Sequence, residues 1–413
     1  MTIIILLIYV LLPAGFSLMY LSGYIYSFTE FFEPYNISIL AGAAAYVVFM
    51  SQFFLSARLR FLERRVPQDK LLALHGSAGA ASLALVLIHF LIKFFMVVIP
   101  SGISFQTAMG TVALLALIIL SPMAYLVLRG KAVKKDTSPP YAGVKKGHNI
   151  FALAGLAAVI HVMFASSTWS VALKIFTLVW GVLALTAYLY HKILRPGRRS
   201  ELILAAISRL APDVHEYSFD GRVARSSGQF GYFSFESENT GVEEHPFTIA
   251  ASAGEQLKIT VRGSGDFSSS MPELPVGTIV RFDGPYGQFS PNRFSEGTPL
   301  IFLAAGIGIT PVLSLVLDQG IRSSYPITVI WSIHVDEDRQ IAPDLQALAD
   351  AGELGLKIRV SSLEGRIAEE FIEHENSAAY FICGPGGFGK SMRMLLKNRG
   401  IKRRFIIEER FSW

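Results

Sequence analysis

Four histidines stand where histidine is rare. His75 and His89 lie 14 residues apart in one long apolar stretch, and His148 and His161 lie 13 apart in another. An ionisable group at membrane depth is costly and marks function by default. The plainer reading, a neutral ring bonded to a neighbouring helix, suits any one of them but not four in two stretches. Fourteen residues of α-helix rise about 21 Å in nearly four turns, so His75 and His89 point the same way. Thirteen residues turn roughly 220° on an ideal helix, so His148 and His161 share a face only if a π-bulge, or a start of regular helix just after Gly147, corrects the angle. Neutral imidazole is a standard axial ligand of haem iron. Two histidines per iron leave no open position, which restricts the acceptor to outer-sphere electron transfer.

A second set of residues could hold a phosphate-bearing ligand. Ala304-Ala305-Gly306-Ile307-Gly308-Ile309-Thr310-Pro311 follows an apolar strand and opens an apolar helix. Glycines there let the backbone approach a pyrophosphate, whose charge the helix N-terminus favours, and Pro311 suits a first-turn position. Cys383-Gly384-Pro385-Gly386-Gly387 ends another strand with an equally open backbone. Alone, each is also compatible with a plain tight turn.

The elements that must position these residues differ sharply between the two halves. The chain has 413 residues, of which 52% are hydrophobic and 17% charged, too apolar for a soluble protein of this size. Six stretches are long enough to span a bilayer: 3–26, 37–55, 71–99, 107–128, 148–165 and 171–190. The first is too long, too uncharged at its start and too poor in a cleavage site for a signal peptide, and reads as an anchor. Lys and Arg crowd the stretches 58–70, 129–147 and 192–199, while 27–36, 100–106 and 166–170 carry none. The positive-inside rule then puts both termini in the cytoplasm, in a cell (inner) membrane. His75 and His148 fall at the cytoplasmic level, and His89 and His161 at the outer level, giving two pairs stacked across the bilayer. Lys93 and Lys174, near the outer side, either snorkel or support a haem propionate or an anionic product. His191 reads as interfacial.

After Arg195 short strands replace the spans. Stretches 214–219, 231–236, 257–262 and 278–282 predict an antiparallel barrel. Stretches 300–305, 327–333, 357–361 and 380–383 predict a parallel sheet. The single cysteine, Cys383, excludes a disulfide framework. The net charge of +5 is modest, and the half after Arg195 shows no basic patch interleaved with aromatics, so no nucleic-acid partner is expected.

Together the motifs resemble the ferredoxin–NADP reductase superfamily, in the form fused to bacterial NADPH oxidases and ferric reductases. His245-Pro246-Phe247-Thr248 looks like its flavin signature. Arg262 with Gly265-Asp266-Phe267-Ser268 resembles the segment holding the FAD pyrophosphate, and Asp283-Gly284-Pro285-Tyr286-Gly287 matches a further motif. Gly306, Gly308, Thr310 and Pro311, with Cys383, Gly384 and Pro385, match its nicotinamide-nucleotide motifs, and the histidine spacing is similar to its haem domain. The resemblance implies FAD, two b-type haems ligated by His75/His148 and His89/His161, and NADPH or NADH. Trp331, Ser332 and His334 stand where some relatives place an Arg for the 2′-phosphate, which leaves that choice open. Phe411 is the expected flavin-covering aromatic, with Trp413 the alternative.

The expected architecture is a multidomain membrane protein. Residues 1–192 form a six-helix transmembrane haem-binding bundle, 193–200 a linker, 201–296 an antiparallel β-barrel FAD domain and 297–413 an α/β parallel-sheet NAD(P)H domain. The expected function is electron transfer from cytoplasmic NAD(P)H through FAD and the haems to an extracytoplasmic acceptor. Dioxygen leads, a ferric chelate follows, and a periplasmic partner protein is the third reading. No regulatory partner, calcium-binding hand or long regulatory extension is expected.

Overall fold

A computed structural model describes residues 7–23, 27–63, 66, 68–128, 147–165, 167–194, 199–223, 226–236, 244–250, 256–264, 266–367, 369–372, 375 and 377–410. The chain divides into two compact units, Met1–Gly197 and Arg198–Trp413.

The first unit is helical: α1 (Leu12–Leu21), α2 (Pro34–Ser56), α3 (Gln68–Lys93), α4 (Phe105–Leu128), α5 (Phe151–Phe164) and α6 (Val171–Leu189). Starts follow local chemistry. Pro34 takes the first turn of α2, and the Ser170 side chain accepts from Leu173 N at 3.2 Å to cap α6. A helix that is apolar all round must be buried, and α2 is: Ile39, Ala43, Tyr46, Val47, Phe49, Met50 and Phe53 form the core with Phe16 and Tyr20 of α1. The small residues Ala41, Gly42, Ala43, Ala44 and Ala45 let its neighbours come close. The Tyr46 hydroxyl donates to the Thr177 carbonyl at 2.6 Å, tying α2 to α6.

Among the described residues, three helical stretches are long and apolar enough to cross a membrane: Pro34–Ser56, Lys70–Ser101 and Val171–Leu194. Leu7–Leu21, Phe105–Ser121 and Phe151–Phe164 are apolar but shorter over their described residues. The fifth stretch shortens for a physical reason. Gly147 and His148 form a brief helical turn, Asn149 and Ile150 a plain turn, and regular helix begins only at Phe151.

The second unit contains two sheets. The first is antiparallel, with β1 (Ser200–Ala211), β2 (Val214–Asp220), β3 (Phe230–Phe235), β4 (Glu244–Thr248), β5 (Leu257–Arg262) and β6 (Ile279–Tyr286) in the order β4-β3-β6-β1-β2-β5. An isolated bridge pairs Ile249, just past β4, with Ile259 of β5, so the two ends of that order meet. The second sheet is parallel: β7 (Leu300–Ala305), β8 (Ile327–Ile333), β9 (Gly355–Val360), β10 (Ala379–Gly384) and β11 (Ile406–Arg410), ordered β11-β10-β7-β8-β9. Its inner strands β10, β7 and β8 are near-continuous apolar runs, as burial on both faces demands, and Phe302, Val329, Trp331 and Phe381 lie in its core. Helical backbone runs to Leu194, and β1 begins at Ser200, within the stretch expected as a linker.

Candidate functional site

The four histidines meet in the two expected pairs. The ring centres of His75 and His148 are 5.9 Å apart at 64°, and those of His89 and His161 are 6.0 Å apart at 78°. With metal–imidazole bonds of about 2 Å and about 1.1 Å from ring centre to nitrogen, an ion held between two imidazoles sets their centres about 6 Å apart. Both pairs fit that spacing. The mismatch of phase between His148 and His161 disappears because His148 precedes the regular helix. A turn, not a π-bulge, corrects the angle.

The second pair shows how its rings are oriented. His89 Nδ1 lies 2.8 Å from the Ser38 carbonyl oxygen, and His161 Nδ1 lies 2.6 Å from that of Gln106. A carbonyl can only accept, so Nδ1 donates in both rings. Each Nε2 is then left as the lone-pair nitrogen, the form that binds a metal. The Ser38 hydroxyl is also within 3.2 Å of His89 Nδ1. Sequence reasoning missed Ser38 and Gln106, because a main-chain acceptor carries no side-chain signature. Lys93, one turn beyond His89, holds its ammonium 3.4 Å from the centre of the Tyr35 ring. Lys174 is exposed on α6, and His191 lies in the turn that follows it.

In the second unit the flavin-type residues converge. β4 carries His245, Pro246, Phe247 and Thr248, paired with β3 at Phe233, Tyr232, Gly231 and Phe230. The short helix α7 (Asp266–Ser270) brings Phe267 flat onto His245, with ring centres 3.5 Å apart and planes within 9°. Ser268 accepts from Ser264 N at 3.0 Å and shapes the preceding turn. The Thr248 hydroxyl is buried and has no hydrogen-bond partner among the described residues, the kind of group a bound ligand satisfies. Beside it Phe230, Tyr232 and Tyr286 form an aromatic cluster, and Tyr286 donates to Asp283 at 2.6 Å. These residues therefore fit a polar, aromatic ligand such as a flavin.

Arg262, at the end of β5, is already engaged. It donates to Asp338 at 2.5 Å and pairs with Asp213 at 3.3 Å, while Asp338 also accepts from His334 N at 3.1 Å. Sequence reasoning missed both carboxylates. The cation still lies beside the Gly306–Pro311 turn: a Cβ built on Gly306 would be 3.5 Å from its guanidinium.

That loop is built from glycine for visible reasons. Gly306 leaves β7 at φ +52, and Thr310 and Pro311 open α8 (Thr310–Val316). A Cβ on Gly308 would lie 2.5 Å from the Cys383 carbonyl oxygen and 2.8 Å from Gly384 Cα. Only glycine lets the two nucleotide-type loops touch there. Trp331 does not face a ligand: it is fully buried and donates to the Gly306 carbonyl at 3.0 Å. Pro385 precedes α9 (Gly386–Asn398). Burial pushes the Cys383 thiol well above its ordinary value, with Glu409 and Glu408 adding to the shift, so it stays neutral. Gly265, Phe411 and Trp413 lie outside the described residues.

No family model matches the chain. Among curated proteins it is 31% identical over 179 residues to the sulfhydrogenase 1 subunit gamma of Pyrococcus furiosus, covering 39% of this chain and 61% of that one. It is 28% identical over 154 residues to a probable dihydroorotate dehydrogenase B (NAD(+)) electron transfer subunit of Methanopyrus kandleri, covering 36% and 56%. The chain thus spans about three-fifths of the length of these relatives. Among solved structures it is similar to the flavohemoglobin of Malassezia yamatoensis with bound FAD and heme, at TM-score 0.53 and 17% identity over 97% of this chain and 99% of that one. That likeness shows fold alone. The second unit of this chain has an antiparallel sheet followed by a parallel sheet. A helical region precedes it in this chain.

Proposed function

We propose that the chain is a membrane-embedded flavohaem oxidoreductase passing electrons from cytoplasmic NAD(P)H, through FAD and two bis-histidine b-type haems, to an extracytoplasmic acceptor, with dioxygen the leading candidate. The observation that carries it is the pair of facing histidine couples, each at the spacing an imidazole-bound metal needs, in a chain that also has a reductase-type second unit. The six apolar stretches are read as spans, the antiparallel sheet as a barrel closed near Ile249 and Ile259, and the two loops around Gly308 and Gly384 as the nicotinamide-nucleotide site.

When bound, FAD supplies two-electron acceptance with one-electron release, and the haems supply one-electron relay. The chain's own residues do the rest. Thr248 offers a hydroxyl to the flavin, and Arg262 sits where a pyrophosphate charge needs a cation. The Gly306–Pro311 turn presents main-chain N–H groups and close backbone approach to the dinucleotide. His75 and His148 hold the inner haem, and His89 and His161 the outer. With both histidines of each pair committed to a haem, reduction of the acceptor would be outer-sphere.

Superoxide-dismutase-sensitive reduction of cytochrome c by the purified holoprotein with NAD(P)H tests the acceptor. Inhibition by dismutase supports dioxygen. Reduction that continues unchanged with dismutase, or without oxygen, rejects the oxidase reading and leaves a ferric chelate or a partner protein.

A further inference from the structure

The outer pair of histidines shares a construction that the inner pair lacks. His89 Nδ1 bonds the Ser38 carbonyl of α2, and His161 Nδ1 bonds the Gln106 carbonyl of α4. In an α-helix each carbonyl accepts from the N–H four residues on. For Ser38 that residue is Gly42, and for Gln106 it is Gly110. A Cβ on Gly42 would lie 2.5 Å from His89 Nδ1 and 2.8 Å from its Cε1. One on Gly110 would lie 2.8 Å from His161 Nδ1 and 2.9 Å from its Cε1. The same rung of helix therefore supplies both the acceptor and the empty volume that lets the ring reach it. It does so twice, on two different helices. No described glycine faces His75 or His148 this closely: His148 Nδ1 has no hydrogen-bond partner among the described residues, and the Gln52 carbonyl beside His75 is followed four residues on by Ser56, not by glycine.

Resting on the two-haem reading, we propose that Gly42 and Gly110 are positioning residues of the outer haem, holding His89 and His161 against main-chain carbonyls so that both present Nε2 to the iron. An imidazole whose Nδ1–H is bonded to a carbonyl is a stronger donor to its metal. Stronger donation stabilises the oxidised iron, so the glycines lower the outer haem's midpoint potential relative to a site without them.

The test compares wild-type holoprotein with Gly42→Ala and Gly110→Ala, using haem per chain, a spectroscopic potential titration and the electron paramagnetic resonance of each haem. Gly15→Ala, where an added Cβ meets nothing within 4 Å, is the control. The expected result is confined to one haem. In either variant the outer haem moves to higher potential with an altered low-spin signal, or is lost, while the inner haem and the control stay unchanged. Where a variant does not fold, pulsed paramagnetic resonance of the wild type in heavy water decides. Nδ1 protons that are hydrogen-bonded and slow to exchange at the outer haem alone support the proposal, and equivalent protons at both haems overturn it. Two haems with unchanged potentials in both variants, or equal changes at both haems, overturn this inference alone. A wild-type chain holding fewer than two haems overturns the functional reading and this inference with it.

Discussion

The helical unit and the two-sheet unit build their sites in opposite ways. Under the proposed function, the chemistry of the helical unit rests on four side chains, His75, His89, His148 and His161, far apart in sequence and brought into pairs by helix packing. In the two-sheet unit the same proposal rests on turns, where glycine and the main chain would carry the ligand and side chains would assist. The first kind fails completely when one residue is lost. The second degrades, because several peptide groups share the load. This follows from geometry: an axial ligand is one atom, whereas a dinucleotide touches a whole loop.

The predictions probe that contrast in order of size. His89→Leu should remove one haem and abolish reduction of the extracytoplasmic acceptor, while flavin reduction by NAD(P)H continues; haem per chain and single-turnover kinetics read both. A His89→Leu protein that keeps two haems would erase the contrast.

Arg262→Ala is expected to weaken FAD binding by about ten- to a hundredfold, the range for losing a hydrogen bond from a charged group. Flavin retained after dialysis measures it. Unchanged retention means that Arg262 serves Asp338 and Asp213 and no ligand.

Gly308→Ala should raise the apparent Kd for NAD(P)H about tenfold, or about 1.4 kcal/mol, with FAD content unchanged. Its methyl would meet the Cys383 carbonyl at 2.5 Å and push the two loops apart. Rapid-mixing flavin reduction at several NAD(P)H concentrations provides the number.

The smallest effect concerns pH. Burial raises the folded Cys383 thiol well above its ordinary value. The stability linked to this group is fully present below the unfolded thiol's range, near pH 9, and falls as pH rises beyond it, because only the unfolded chain can release the proton. Cys383→Ala should therefore flatten the alkaline limb of the unfolding midpoint against pH. An identical alkaline limb in both proteins would show that this thiol contributes nothing to it.

The same contrast explains what could be read from the sequence. Turn motifs are local, so Gly306–Pro311 and Cys383–Pro385 were legible as candidate loops, and the structure brings the two together at Gly308. The apolar strands β7 and β8 were legible at their observed bounds. Strand β1 was not: Ser200–Ala211 is rich in Leu and Ala and alternates clearly between buried and exposed only around Leu202 and Leu204. The histidine pairs were legible from spacing, but the phase of His148 needed the turn at Asn149 and Ile150. Ser38 and Gln106 were invisible because their carbonyls, not their identities, meet the rings, and Gly42 and Gly110 looked like ordinary small residues of a packed helix. Asp338 was hidden because its partner Arg262 lies 76 residues away on another sheet.

The most direct measurement is anaerobic reduction of the purified holoprotein by NAD(P)H, with haem and FAD counted per chain, beside a His75→Leu variant. The proposal requires two haems and one FAD in the wild type, with both haems reduced. In the variant the flavin is reduced and the outer haem stays oxidised. One haem or none in the wild type, or an outer haem reduced at full rate without His75, would contradict it.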